Sequence, residues 1–97
     1  MQKISASLEA VADSIDKGLA LLKVEEAVRA ARDLVGAALV VAKKNGQAQG
    51  LPLLEELEKE LSVWQSKLSV ILNEPIGKKG MAKHARFWVE KLRAIHV

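Results

Sequence analysis

The sequence predicts an all-α fold, a small antiparallel helical bundle of three to four helices, on three observations. Apolar residues recur at alternating spacings of three and four along most of the chain, the signature of one helical face. No segment carries the sustained apolar–polar alternation of a half-buried strand. The stretches between the periodic segments are short and marked by Gly, Asn or Pro, which suits antiparallel neighbours.

The first segment places Ile4, Leu8, Val11, Ile15, Leu19 and Leu22 on one stripe, with Ser5, Ser7, Asp13 and Asp16 off it. Gly18 suits a helix end, so a break is expected between Gly18 and Glu25. The second segment runs from about Val24 to Lys44. Its first half is charged on one side, but Leu34 to Ala42 is apolar all round. Such a helix is expected to be buried on every side, in the bundle centre or against a second copy of the chain. Asn45-Gly46 ends it. The third segment starts near Pro52, with Glu55 and Glu56 at the favourable end of the helix dipole. Leu54, Leu57, Leu61, Trp64, Leu68 and Ile71 form a heptad-like stripe, and Asn73 and Pro75 end the helix. The last helix is expected to begin near Gly80, with Met81, Ala85, Trp88, Leu92 and Ile95 facing the bundle. The chain reads as one domain over residues 1–97.

Composition excludes several function classes. There is no Cys, Thr or Tyr, so no thiolate chemistry, and the serines lie in amphipathic helices outside any nucleophile turn. His84 and His96 are the only bases that titrate near neutrality, and they match no zinc-ligand spacing. No Glu-x-x-His pair is present for a bundle di-metal site, and Glu55, Glu56, Glu58 and Glu60 read as a solvated acidic face. The expectation is a non-enzyme without cofactor or metal. The longest wholly apolar stretch, Leu34–Ala42, is far short of the roughly 20 residues a bilayer requires. Without Cys or a secretory leader pattern, the chain is expected to be cytoplasmic.

Charge is distributed unevenly. Residues 1–76 carry nine Lys/Arg against eleven Asp/Glu, whereas residues 77–97 carry six Lys/Arg against one Glu. The candidate partner- or phosphate-binding residues are Lys78, Lys79, Lys83, Arg86, Phe87, Lys91 and Arg93. "GKKG" reads as a loop just before a helix start, where lysines and exposed amides suit an anion. Phe87 lies off the core stripe and, beside Arg86, has the chemistry of an interface anchor. Trp88 lies on the stripe and reads as core.

Two short resemblances fall in this segment. "EPIGKKGMAKHA" resembles the helix-hairpin-helix element of DNA-binding proteins through Pro75, Gly77, Lys78, Lys79 and Ala82. Ile76 stands where that pattern has its first Gly, and the spacing is one residue short. The resemblance implies a tight turn that grips the phosphate backbone. "MAKHARFWVEKL" is similar to the last helix of the phage Gam family of nuclease inhibitors through Met81, Ala82, His84, Arg86, Val89 and Glu90. This similarity implies a small inhibitory protein.

The function expected from the sequence is that of a small helical interaction or regulatory protein, an inhibitor or adaptor, that binds another protein as a homodimer. The alternative is a nucleic-acid-binding protein that uses the basic C-terminal loop and helix.

Overall fold

The computed structural model describes residues 2–46 and 50–94. They form four helices, α1 (Gln2–Asp16), α2 (Leu21–Lys44), α3 (Leu51–Asn73) and α4 (Pro75–Arg93). The expected Ile95 and His96 positions lie outside the described residues.

Local chemistry sets each helix end. α1 closes in a Schellman motif: Gly18 adopts φ 68°, its amide donates to the Ile15 carbonyl, and the Leu19 amide donates to the Ser14 carbonyl. α2 therefore starts at Leu21, inside the expected break. Asn45 and Gly46, the latter at φ 67°, stop α2 as the sequence predicts. α3 opens after Gly50 at φ 82°, with Pro52 in its first turn. It is kinked at Lys67, whose φ of −114° and ψ of 15° leave the helical region. Just before the kink, the Ser62 and Ser66 hydroxyls donate to the Glu58 and Val63 carbonyls, a side-chain competition that bends helices.

The last connection differs from expectation. One residue, Glu74, separates α3 from α4, and Pro75 is the first helical residue of α4. Its fixed φ and missing N–H fit that position. "GKKG" is thus helical rather than a loop, and α4 begins five residues before Gly80. Gly77 makes the tight junction feasible. A Cβ there would overlap the Ile71 carbonyl oxygen of the preceding helix.

Each helix packs on two others. α1 lies against α2 and α4, and α3 lies against α2 and α4, so α1/α3 and α2/α4 are diagonal pairs. The core takes Ile4, Leu8, Val11 and Ile15 from α1, and Val24, Val28, Ala31, Val35 and Leu39 from α2. Leu54, Leu57, Leu61, Trp64 and Leu68 come from α3, and Met81, Ala85, Trp88, Val89 and Leu92 from α4. The stripes of α3 and α4 are those the sequence predicts, with Ile71 only half-buried.

Burial departs from the periodic pattern at three places, and the all-apolar stretch of α2 is left with only the second of its two expected covers, another copy of the chain. Leu19 and Leu22 are exposed because α1 ends before them and the chain turns at the end of the bundle. Ser5, which lies off the apolar stripe, is buried. The all-apolar stretch of α2 is not enclosed within the chain: Ala37, Val40 and Val41 are exposed while Leu39 and Ala42 turn inward. α2 has 24 residues and α1 has 15, or about 36 Å against 22 Å at 1.5 Å per residue. Counted from their short connection, the last turns of α2 outrun α1. No helix among the described residues is long and apolar enough to cross a membrane.

Leu61 is fully buried, so Leu61→Ala should cost about 2–5 kcal/mol in denaturant unfolding. Gly77→Ala should also destabilise the protein, against the usual gain of Ala over Gly inside a helix. A neutral or stabilising Gly77→Ala would mean that the α3–α4 junction is open enough to take a methyl group.

Candidate functional site

The seven residues singled out by the sequence share α4 but not one environment. The helix turns Met81, Ala85, Trp88 and Leu92 into the core, so its opposite face carries Ile76, Lys79, Lys83 and Phe87. Spacings of three, four and four align these four residues. Ile76 is 85% exposed and Phe87 49% exposed. Among the described residues, Lys78, Lys79 and Lys83 have no carboxylate within ion-pair distance.

Arg86 and Arg93 point sideways to α1. The Arg86 guanidinium pairs with Asp16 and with Asp13, the latter at 3.3 Å. Arg93 pairs with Glu9 at 2.9 Å. The hydrogen bond from Arg86 to Asp16, and then the charges of Asp16 and Asp13, raise the pKa of Arg86 above its already high ordinary value. These two cations are therefore occupied in joining α4 to α1. All the partners are well exposed, so solvent screens each pair and its contribution to stability is small.

Lys91 is turned the other way, toward α3. Its Nζ lies 4.6 Å from the centroid of Phe87 and 4.9 Å from that of Trp88, within the range of a cation–π contact. Beneath it, Glu60 of α3 accepts a hydrogen bond from the Trp88 indole N–H at 2.6 Å and pairs with His84 Nδ1. Glu60 is thus one of the α3 carboxylates that is not simply solvated. Trp88 is core, as its place on the stripe predicts. His84 is about half exposed and stacks on Phe87 with ring centroids 5.6 Å apart and planes at 13°. Phe87 therefore packs along its own helix on one side and stays open to solvent on the other.

Lys78 and Lys79 occupy the second turn of α4. They lie near the positive end of the helix dipole, with no acidic residue in the first turn. The dipole's effect falls off within the first turn, so its cost to these lysines is small. The hairpin implied by the helix-hairpin-helix resemblance is absent, because α4 continues through Gly77–Gly80. Sequence reasoning missed Ile76, Glu60 and His84. Ile76 was legible only once Pro75 was placed at the first helical position. The Glu60 contacts depend on the rotation of α3 against α4.

Among the described residues, no group of three or more His, Cys, Asp or Glu side chains could hold a metal ion. No protein-family model, curated protein or solved structure matches the chain.

Removing the part-buried Glu60 leaves the Trp88 N–H without its acceptor. Glu60→Ala should therefore cost about 1–3 kcal/mol and change the tryptophan emission. Arg86→Ala and Arg93→Ala should each lower stability far less than Glu60→Ala, because solvent screens their pairs. Chemical denaturation of the three variants checks this ordering.

Proposed function

We propose that the chain is a small non-catalytic helical interaction module that binds another protein through the outer face of α4. One observation carries this reading. Ile76 and Phe87 stand exposed at either end of a face whose remaining side chains, Lys79 and Lys83, have no carboxylate partner among the described residues. Exposed apolar anchors beside unpaired cations are the composition of an interface centre and its rim. The chain offers no cysteine, threonine or tyrosine nucleophile, and His84 is engaged with Glu60 and Phe87. A homodimer belongs to the same proposal, with the exposed Ala37, Val40 and Val41 strip of α2 as the apolar surface a second copy would cover.

The nucleic-acid reading draws on a different observation. The exposed His84–Phe87 stack lies beside Lys79 and Lys83, and a base could stack on it. Three of the six expected cations are committed elsewhere, however, Arg86 and Arg93 to α1 and Lys91 to the aromatic rings. A grip by Lys78, Lys79 and Lys83 alone would give a log affinity–log salt slope near −2.7, at about 0.9 per duplex phosphate.

A photo-cross-linking amino acid placed at position 87, and in a control at the exposed position 30, separates these readings. Position 87 should yield a discrete protein adduct in lysate that the control lacks and that Lys79→Glu with Lys83→Glu abolishes. A parallel titration with labelled duplex and single strand at two salt concentrations should show no saturable binding. Salt-dependent nucleic-acid binding without a protein adduct would replace the first reading by the second.

A further inference from the structure

The end of the bundle where α1 passes to α2, and α3 to α4, is incompletely filled. A cleft of about 260 Å³ opens there between all four helices. Its floor is core, made by Ile15 and Val24, which are buried, and by the half-buried Leu72. Leu19 and Leu21 form an apolar lip and are 46% and 42% exposed. Leu22, 70% exposed, extends that apolar surface. Ser69, Asn73 and Lys78 make the polar side. Ser69 and Asn73 lie in the last turns of α3, after the kink at Lys67.

The connections at this end are predominantly basic, and the nearby carboxylates Asp16 and Glu25 are paired with Arg86 and Arg29. Residues 17–23 and 67–80, which include both connections at this end, contain Lys17, Lys23, Lys67, Lys78 and Lys79 against the single carboxylate Glu74. Among the described residues, Lys23 alone of these lysines has an acidic neighbour, Glu26 at 3.9 Å, and both are well exposed. The N-termini of α2 and α4 and the C-termini of α1 and α3 meet at this end, so the helix dipoles largely cancel and the lysines set its sign.

We infer that this cleft is the docking site for an acidic amphipathic helix of a partner protein. One or two apolar side chains on a helical stripe enter the cleft over Ile15, Val24 and Leu72. Carboxylates flanking the stripe pair with Lys78 and Lys79. The proposal goes beyond the α4-face reading above: it adds a second surface, at the bundle end, and the chemistry of its partner. An amphipathic helix presents anchors a turn apart with charges on either side, and it recognises a groove of this kind. A lipid surface shares the charge preference, but it is flat and leaves a concave floor unfilled.

Two synthetic helical peptides of about four turns test this. They share one leucine stripe, flanked by Glu in the first and by Lys in the second. Each is titrated into the ¹⁵N-labelled full chain. The acidic peptide should bind saturably, with shifts concentrated at residues 17–24 and 68–79, and the basic peptide should not bind. Ser69→Trp plugs the cleft from an exposed position and should abolish binding without lowering the melting temperature by more than a few degrees. Lys78→Glu with Lys79→Glu should weaken binding at least tenfold. Those glutamates suit a helix N-terminus, so the double variant should melt no lower than the parent, and unfolding could not account for the loss.

Equal binding of both peptides, shifts centred on Lys83 and Phe87, or binding that survives the Ser69→Trp plug would overturn the proposal. So would failure of the acidic peptide to bind. Co-sedimentation with phosphatidylserine vesicles that is unaffected by the plug would assign the basic end to lipid instead. If the acidic peptide fails while the cross-link at position 87 succeeds, the interaction-module reading stands and this cleft is not its site. If both fail, both readings fall.

Discussion

The rest of the structure depends on the single-residue junction between α3 and α4. With only Glu74 between the helices, α4 cannot choose its starting point or its rotation freely. Pro75 must be its first helical residue, and Gly77 must meet the end of α3 with no side chain, because a Cβ there would strike the Ile71 carbonyl. From that start, the 3.6-residue turn carries Met81, Ala85, Trp88 and Leu92 into the core and Ile76, Lys79, Lys83 and Phe87 to the outside. The same junction brings Lys78 to the rim of the cleft at the bundle end.

Around this constraint, α4 is held differently on its two sides. Toward α1 it uses small buried side chains, Ala82 and Ala85, which allow close approach, and exposed ion pairs from Arg86 and Arg93 at the margin. Toward α3 it uses aromatic bulk and a polar clasp, with Trp88 and His84 both on Glu60. The clasp matters more energetically, since Glu60 is largely buried and its loss would strand an indole N–H, whereas the arginine pairs are screened by water. Burial and pairing thus sort a largely basic stretch of sequence into side chains that hold the helix and side chains exposed without an ion pair.

Much of the fold could be read from spacing alone. The stripes of α3 and α4 and the Gly18 and Asn45-Gly46 breaks are local signals, and they appear where periodicity and turn chemistry put them. What could not be read depended on where helices end and which way they face. Leu19 and Leu22 continue the α1 rhythm, but the Schellman turn at Gly18 removes them from the core. Val40 and Val41 are apolar yet lie on the face of α2 opposite its buried stripe, with the exposed Arg29, Ala30 and Asp33. The candidate site was legible as a list of basic residues but not as a geometry. Pro75 ends α3 and also begins α4, a double role that local spacing does not show, so "GKKG" reads as a loop in the sequence and is helical in the fold, and the sequence does not show that Arg86 and Arg93 face α1 carboxylates distant in sequence.

The helical start at Pro75 is the point on which the cleft, the outer face of α4 and the role of Gly77 all turn. Backbone ¹³C chemical shifts for residues 74–83, with amide exchange for Lys79–Lys83, test it most directly. Helical shifts beginning at Pro75, with slowed exchange from Lys79 onward, are the expected result. Coil-like shifts through Gly80 with rapidly exchanging amides would contradict it, returning the two lysines to a loop and removing the framework on which both proposed surfaces are built.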